Sequence, residues 1–311
     1  MERWKIRILV CDNISEKGIN ILKDEGFAVS YLPSITPEDL LLTIPNYDAV
    51  IVRSRTEITW ESIAAGKKLK VIGRAGVGLD NIDLKAAEEA GVEVYNTPDS
   101  VTNAVAELIL GMMLNVSRGI CIGNSGLKEG NWMKIHLNGF ELKNKVLGII
   151  GFGRIGKRLS EIVQAMGMNV LFYDIIEIPK ETIERLNLKY AEIDDILTKS
   201  DYITLNIPLT QETEHFISRE KISKMKKTAY LINASRGAVV NEKALLEALK
   251  NDRIRGAALD VFEIEPLGRN ELVALPNVVC TPHIGAQTVE AQEAAATEVS
   301  ERIIEFFRSV G

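Results

Sequence analysis

A glycine-rich turn between an apolar run and an amphipathic stretch constrains this chain more than any other feature. Gly151, Gly153 and Gly156 follow the apolar run 146–150, and apolar residues then recur at helical spacing. In a strand, Gly-x-Gly-x-x-Gly turn and helix, the glycines permit a tight turn, a close approach to a pyrophosphate and close helix–sheet packing. The amides at the helix start also favour a phosphate. The segment therefore predicts a dinucleotide-binding turn.

A second predicted strand indicates which dinucleotide is bound. The run 169–173 ends at Asp174, close to the usual position of the acidic residue, about 20 residues beyond the glycines. A carboxylate there accepts hydrogen bonds from the ribose hydroxyls of an adenosine and would repel a 2′-phosphate. The alternative is an ordinary polar residue at a strand end. Because strand, glycines, helix, strand and acid occur in the expected order, we expect NAD rather than NADP.

Composition excludes several classes of protein. The chain has 311 residues, 46% of them hydrophobic and 26% charged, which is typical of a soluble globular protein of about two domains. The net charge of −6 is spread along the sequence and gives no basic surface for nucleic acid. Three widely separated cysteines predict neither a disulfide framework nor a metal site. With no membrane-spanning run and no signal-peptide pattern, we expect a cytoplasmic protein without a membrane partner.

The order of predicted elements indicates two α/β domains. Short apolar runs alternate with amphipathic stretches over the first hundred residues and again from 146 to about 280, which favours two parallel sheets covered by helices. Helical patterns at 101–128, with Ser100 as cap, and at 287–307 each follow a Thr-Pro pair. Proline keeps the preceding residue extended, so each pair is expected to cross between domains. We predict one domain of residues 1–98 plus 285–311 and a dinucleotide-binding domain of residues 99–284.

One of the three histidines is placed for chemistry. His283 follows an apolar run at the predicted join between domains, and small residues come after it. Imidazole titrates near neutral pH and could accept the proton of an alcohol that is being oxidised. His136 and His215 lie in polar segments and are expected to be solvated.

A histidine in this role needs an acid, and the substrate needs a cation. Asp260, Glu263 and Glu265 all follow the predicted strand 256–259, and the residues alone do not choose among them. Arg236 leaves another apolar run and could bind a carboxylate through two hydrogen bonds. The alternative for Arg236 is a surface arginine in a turn.

Five segments in this order resemble the D-isomer-specific 2-hydroxyacid dehydrogenases. They are 148–156, 206–210, 233–240, 258–266 and 281–286, and the resemblance covers essentially the whole chain. It implies a Rossmann NAD-binding domain inserted into a flavodoxin-like substrate domain, both doubly wound. It also implies the catalytic residues Arg236, Glu265 and His283, so the choice among the three acids rests on the resemblance.

The resemblance further implies the residues that contact NAD. They belong to the glycine turn and to the ends of later strands: Gly151, Gly153, Arg154, Ile155, Gly156, Asp174, Ile207, Pro208, Ala234, Asp260, His283, Gly285 and Ala286. Asn206 stands where many relatives have histidine, so contacts on the adenine side are expected to differ.

Segments 52–56 and 72–81 most resemble the phosphoglycerate dehydrogenases within this family. The turn Gly76, Val77 and Gly78 would hold a substrate carboxylate with its amides, and Arg53 and Arg74 would suit a phosphate. The alternative for both arginines is a solvated position at a strand end. Asn103 and Lys134 are also assigned to the substrate, and Lys134 matches a position proposed to reach across a dimer.

The expected reaction is the reversible, NAD-dependent oxidation of D-3-phosphoglycerate to 3-phosphohydroxypyruvate, the first step of serine biosynthesis. One alternative is a glyoxylate or hydroxypyruvate reductase, and another is an NAD(H)-sensing corepressor that turns over little. The resemblance implies a homodimer formed through the NAD-binding domain, with the helix after Ser100 as a candidate contact. Because the sequence stops at Gly311, we expect no regulatory C-terminal domain.

Overall fold

The computed structural model describes residues 5–310, which form two compact units. One unit takes the described residues up to Val101 together with those from Ala286 onward, and the other takes Thr102–Gly285. The predicted boundaries at 98/99 and 284/285 lie within three residues of these.

The first unit is a five-stranded parallel sheet with helices packed against it. Its strand order is β2-β1-β3-β4-β5, the flavodoxin-like arrangement that the resemblance implied. The elements are β1 (Arg7–Val10), α1 (Glu16–Asp24), β2 (Ala28–Tyr31), α2 (Pro37–Thr43), β3 (Ala49–Val52), α3 (Trp60–Ala65), β4 (Val71–Arg74), α4 (Leu84–Glu89) and β5 (Glu93–Asn96), with a 3₁₀ turn at Ile44–Asn46. A C-terminal helix, Val289–Ser309, completes the unit by burying Val299, Ile303 and Phe307 in the same core as β1 and β3.

The second unit is a seven-stranded sheet in which every pairing is parallel. Its elements are α5 (Thr102–Arg118), α6 (Ile120–Lys128), β6 (Val146–Ile150), α7 (Arg154–Ala165), β7 (Asn169–Tyr173), α8 (Lys180–Arg185), β8 (Lys189–Tyr190), α9 (Ile193–Lys199), β9 (Tyr202–Leu205), α10 (Arg219–Lys224), β10 (Tyr230–Asn233), α11 (Glu242–Lys250), β11 (Gly256–Leu259) and β12 (Val278–Cys280). Short 3₁₀ turns lie at Lys134–His136 and Gly237–Val239. The C-terminal helix of the first unit is α12 in chain order.

The strand order of this second sheet puts the glycine turn at the point where the order reverses. The order is β12-β11-β10-β9-β6-β7-β8, so the chain winds one way from β6 to β8 and the other way from β9 to β12. Ligands of such sheets bind outside the carboxyl ends of the strands at this reversal, and the glycine turn directly follows β6. The predicted Rossmann arrangement is confirmed.

The prediction of one helix over residues 101–128 is wrong. Gly119 has the left-handed backbone angle φ 63° and separates α5 from α6, whose axes differ in direction by 65°. Apolar periodicity continues across the break, so the pattern alone does not show it. Within residues 5–310 no single helix is long and apolar enough to cross a membrane, although α5 and α6 would reach that length and composition together.

Candidate active site

The glycine turn after β6 has the shape that a pyrophosphate needs. Gly151 has φ 90°, and a Cβ there would lie 2.5 Å from the carbonyl oxygen of Asn206. A Cβ at Gly156 would lie 2.7 Å from the carbonyl oxygen of Gly151, whereas a Cβ at Gly153 would meet no atom within 4 Å. The first and third glycines are thus required by the fold itself. The second faces open space at the start of α7, where backbone amides can approach a phosphate.

Asp174 links the end of β7 to this turn. Its Oδ2 accepts a hydrogen bond from the amide of Phe152 at 2.6 Å, and its Oδ1 accepts one from the amide of Ile176 at 2.9 Å. A carboxylate has about four lone-pair sites, so acceptor capacity remains for ribose hydroxyls. Ile175 and Ile176, which the sequence reasoning did not include, are 88% and 70% exposed and give an apolar surface beside this carboxylate. These residues fit the adenosine half of NAD.

The other predicted NAD residues also follow the carboxyl ends of strands. Arg154 and Ile155 open α7, Ile207 and Pro208 follow β9, Ala234 follows β10, Asp260 follows β11, and Gly285 and Ala286 follow β12. In a parallel sheet all of these ends lie at one edge.

His283 and Glu265 form a close pair. His283 Nδ1 lies 2.7 Å from Glu265 Oε2, and the two side chains are 46% and 33% exposed. Glu265 Oε1 accepts a hydrogen bond from the amide of Phe262 at 2.9 Å. Burial raises the pKa of Glu265. The hydrogen bonds from His283 and Phe262 and the positive charges of His283 and Arg236 lower it by more, so the net shift of the pKa is downward. Glu265 is therefore ionised at neutral pH, and Nε2 is the ring nitrogen of His283 that faces away from this bond.

The other two candidate acids have different partners. Glu263 Oε1 lies 2.9 Å from His215 Nε2 and accepts a hydrogen bond from the amide of Glu242 at 3.0 Å. His215, expected to be simply solvated, is thus paired with a carboxylate. Asp260 is 1% exposed and binds the segment that carries His283. Geometry thus distinguishes three acids that the sequence could not.

Asp260 holds the backbone around His283. Its Oδ1 accepts hydrogen bonds from Thr281 Oγ1 at 2.5 Å and the amide of Ile284 at 2.8 Å, and its Oδ2 accepts one from the amide of Gly285 at 2.8 Å. His283 has φ 53°, a left-handed conformation that costs a non-glycine residue about 1–3 kcal/mol. Burial raises the pKa of Asp260, and these hydrogen bonds partly offset the increase. Sequence reasoning assigned Asp260 to NAD and missed this local role.

Arg236 follows β10 in a turn that Asn233 shapes. Asn233 Nδ2 donates to the carbonyl of Arg236 at 2.9 Å, and its Oδ1 accepts hydrogen bonds from the amide and hydroxyl of Ser235 at 3.1 and 2.8 Å. At the next residue, Gly237, a Cβ would collide with the carbonyl group of Phe262. This close approach brings the turn against the Glu265 segment, which is why the charge of Arg236 lowers the pKa of Glu265. Asn233 belongs to a motif that the sequence singled out, but its role as turn former was missed.

The predicted substrate residues of the first unit share the carboxyl edge of its sheet. Arg53 follows β3, and its guanidinium donates to the carbonyl of Asn13 at 3.2 Å and to Gln287 Oε1 at 3.3 Å. Burial lowers the pKa of Arg53, against the opposing effect of the Asp12 charge. Arg74 ends the adjacent strand β4, and the turn Gly76, Val77 and Gly78 begins two residues later.

The remaining predicted residues lie in the second unit. Asn103 Oδ1 accepts a hydrogen bond from Arg158 Nε at 2.8 Å, and Asn103 Nδ2 donates to Glu107 Oε1 at 2.5 Å. Lys134 lies in the exposed 3₁₀ turn Lys134–His136. Across residues 5–310, no group of three His, Cys, Asp or Glu side chains could hold a metal ion.

Several known proteins are similar to this chain over most of its length. Residues 110–285 match the family model of the D-isomer specific 2-hydroxyacid dehydrogenase, NAD binding domain. A D-3-phosphoglycerate dehydrogenase of Methanocaldococcus jannaschii is 47% identical over 97% of this chain and 58% of its own length. A hydroxypyruvate reductase of Thermotoga maritima is 40% identical over 99% of both chains. The crystal structure of an NAD-dependent formate dehydrogenase from Staphylococcus aureus in complex with NAD has a TM-score of 0.85 and 30% identity, covering 97% of this chain and 96% of that one.

The chain spans little more than half the length of the first curated relatives, 58% and 53%. The matched domain, the glycine turn and the acid after β7 make NAD the cofactor. The chain belongs to the D-isomer-specific 2-hydroxyacid dehydrogenase family.

Proposed function

We propose that this chain is a D-2-hydroxyacid dehydrogenase that oxidises D-3-phosphoglycerate to 3-phosphohydroxypyruvate, and reduces the keto acid in the reverse direction. The observation that carries the proposal is the 2.7 Å contact between His283 Nδ1 and Glu265 Oε2, with Arg236 close enough to lower the pKa of Glu265. A proton acceptor, its orienting carboxylate and a cation for the substrate are the groups that oxidation of a 2-hydroxy acid requires.

Each residue would have a distinct role. His283 Nε2 would take the hydroxyl proton of the substrate, and ionised Glu265 would hold the ring and stabilise the imidazolium that forms. Arg236 would bind the substrate carboxylate and orient C2. Bound NAD supplies the acceptor for the hydride of C2. In the reverse direction the protonated His283 would return its proton to the keto oxygen.

The residues that would hold NAD are those of the glycine turn and the ends of β7 and β9 to β12. The amides at the start of α7, next to Gly153, would contact the pyrophosphate, and Asp174 would accept the ribose hydroxyls. The rest of the NAD site would be lined by Ile207, Pro208 and Ala234.

The phosphorylated substrate is supported by the first unit and by the relatives. Arg53 follows β3 and Arg74 ends the adjacent strand β4, near a turn of three residues whose amides could bind a carboxylate. Several relatives at 39–47% identity are named D-3-phosphoglycerate dehydrogenase. We propose Arg53 and Arg74 as the groups that recognise the phosphate.

The decisive experiment is NADH oxidation by the purified protein with 3-phosphohydroxypyruvate, hydroxypyruvate, glyoxylate and pyruvate. We expect a preference of about 100-fold in kcat/KM for the phosphorylated acid, equivalent to about 2.7 kcal/mol. In Arg53→Ala the KM for 3-phosphohydroxypyruvate should rise about 10-fold or more, because a hydrogen bond to a charged group is lost, while the KM for hydroxypyruvate stays the same. His283→Ala should lose about 100-fold or more in kcat and still bind NADH.

A hydroxypyruvate reductase is the second candidate, favoured by the relative that matches over 99% of both chains. Equal kcat/KM values for the phosphorylated and unphosphorylated acids would support it. No turnover with any of the four acids, with NADH bound, would instead support an NAD(H)-sensing protein.

We propose further that two copies associate through the second unit. Helix α6 and the segment after it expose Ile120, Leu127, Trp132 and Ile135, which are 56%, 59%, 78% and 83% exposed. Exposed apolar surface of this kind marks an interaction site, and the family resemblance points to a second copy. Light scattering on the double variant Trp132→Ser with Ile135→Ser should give a monomer. Leu42→Ser, a change at a position 77% exposed on the first unit, should leave the dimer intact.

A further inference from the structure

Two glutamates outside the proposed catalytic residues bind each other through reciprocal hydrogen bonds. The amide of Glu242 donates to Glu263 Oε1 at 3.0 Å, and the amide of Glu263 donates to Glu242 Oε1 at 2.7 Å. Glu242 is the first residue of α11, and Glu263 lies in the segment after β11. The exchange therefore fastens the start of a helix to the segment that carries Glu265.

His215 completes this arrangement, and its neighbours indicate the tautomer of its neutral ring. Asn241 Oδ1 accepts a hydrogen bond from the amide of Ala244 at 2.9 Å, so Asn241 Nδ2 is the group that faces His215 Nδ1 at 3.4 Å. An amide nitrogen donates, so Nδ1 of neutral His215 accepts and Nε2 carries the proton. Nε2 then donates to Glu263 Oε1 at 2.9 Å.

The position of Glu265 depends on this segment. Glu265 Oε1 accepts a bond from Phe262, and Glu265 Oε2 contacts His283. The backbone of Phe262 lies directly against Gly237, and the amide of the next residue, Glu263, is held by Glu242. Without an acceptor at position 242, the amide of Glu263, two residues from Glu265, would lose its partner in the protein. A hydrogen bond to a charged group is stronger than a neutral one, and losing it would release the segment before Glu265 from the start of α11.

We propose that Glu242 and Glu263 are positioning residues that hold Glu265 in contact with His283, an inference that rests on the proposed acid–base role of that pair. Neither residue would touch substrate or cofactor. Glu242 acts through the backbone amide of Glu263, and Glu263 acts through the amide of Glu242 and through His215.

The charges around the pair fit this role. Burial and the negative charges of Glu263 and Glu265 raise the pKa of Glu242, against the hydrogen bonds from the Glu263 amide and Asn270. Burial, together with the negative charge of Glu242, raises the pKa of the Cys280 thiol in β12 to about 11. Closer to the reaction, Glu265 faces His283 and Arg236, and His283 also lies near buried Asp260. Glu242 thus lies close enough to Glu263 and Glu265 for both of their charges to raise its pKa.

Two substitutions at one position separate positioning from charge. Glu242→Gln keeps an oxygen that can accept from the Glu263 amide, whereas Glu242→Ala removes it. We expect kcat to fall about 10-fold or more in Glu242→Ala and less than about threefold in Glu242→Gln, with the KM for NADH unchanged in both. Lys243→Ala, a change at the adjacent exposed residue of α11, is the matched control and should behave as wild type.

The pH dependence provides a readout that a purely structural role would not move. If Glu265 loses contact with His283, the imidazolium is less stabilised, and the pH–rate profile of Glu242→Ala should shift to lower pH by about half a unit or more. With only three histidines in the chain, NMR of their ring carbons can follow His283 without substrate, and exposed His136 serves as internal reference. The His283 titration should shift in Glu242→Ala and stay at its wild-type position in Glu242→Gln.

The outcomes distinguish this inference from the proposed function. An unshifted His283 titration in Glu242→Ala would overturn the inference, even if the variant melts at a lower temperature, and so would equal losses in the Ala and Gln variants. Full turnover in His283→Ala would instead overturn the proposed acid–base role. In that event the NMR titration still tests whether Glu242 holds Glu265 in place.

Discussion

Replacing Glu265 by glutamine tests the charge of the Glu265–His283 pair with little change in its shape. In the protein Glu265 uses one oxygen for His283 Nδ1 at 2.7 Å and the other for the amide of Phe262 at 2.9 Å. A glutamine has one acceptor oxygen, so it can serve one of these donors and carries no charge toward an imidazolium.

The magnitude follows from the kind of bond that is lost. A hydrogen bond to a charged group contributes about 1.5–3 kcal/mol and a neutral one about 0.5–1.5 kcal/mol, a difference of roughly 1–2 kcal/mol. The His283 and Glu265 side chains are 46% and 33% exposed, and solvent screening places the expected value at the lower end. Since one pKa unit corresponds to about 1.36 kcal/mol, a loss of about 1 kcal/mol should move the pH–rate profile down by about 0.7 unit.

The two reaction directions should respond in opposite ways at a fixed pH. Reduction needs the imidazolium, so its rate should fall off about 0.7 pH unit earlier in Glu265→Gln, a loss of about fivefold on the alkaline side. Oxidation needs the neutral ring, so the low-pH limb of its pH–rate profile should also move to lower pH. The variant should therefore lose the least activity in the oxidation direction at low pH. Steady-state rates from pH 5.5 to 9 in both directions test this. Glu271→Gln, which removes a surface carboxylate paired with Lys250, is the control. Profiles that stay in place in both directions would refute the reasoning.

Three further substitutions test the surrounding structure. Asp174→Ala removes the acceptor of the Phe152 amide and the proposed ribose contact. Fluorescence titration should therefore show that NADH binds about 10-fold more weakly, or worse, and that the preference for NADH over NADPH is smaller. Unchanged affinities would contradict the assignment. Gly237→Ala places a methyl group against the carbonyl of Phe262. It should destabilise the fold by about 1–3 kcal/mol and lower both Tm and kcat. Wild-type values would contradict this, because they would mean that the backbone can move to make room for the methyl group. Burial raises the pKa of Glu242 in the folded protein, so folding favours its protonated form. The stability that this form contributes is present at low pH and is lost as the pH rises through the raised pKa. Glu242→Gln should therefore raise Tm at pH 8 relative to wild type and lose that advantage at pH 4; a gain equal at both values would contradict the shift.

The sequence predicted the fold because its signals are local and repeated. Alternating strands and helices indicate parallel sheets, and the glycine turn marks where one of them binds its ligand. The break between α5 and α6 escaped prediction because it depends on one left-handed residue, Gly119, inside an unbroken apolar pattern. Glycine is tolerated within helices often enough that its presence does not predict a break.

The site was predicted less completely, for a different reason. Asp260, Glu263 and Glu265 lie within six residues of one another, and no pattern in the sequence tells which of them faces His283. The distinction depends on long-range contacts: His215 is 48 positions from Glu263 in sequence, and Asp260 binds amides 24 and 25 positions away. Such contacts are set by sheet order and loop geometry. Resemblance to a family gave the right neighbour of His283 without giving the physical cause.

The physical cause lies in three adjacent strands. Arg236, Glu265 and His283 each follow one of β10, β11 and β12, which are neighbours in the sheet and all point the same way. Parallel strands end at a common edge, so residues that are distant in sequence are brought together, but the pleat alone does not aim their side chains. Asn233 shapes the first turn, the Glu242–Glu263 exchange holds the second segment, and Asp260 holds the third. The orientation of the three side chains is therefore set by polar side chains bonded to backbone amides and carbonyls. The proposed chemistry should be more sensitive to loss of those polar groups than to changes in the apolar core beneath them.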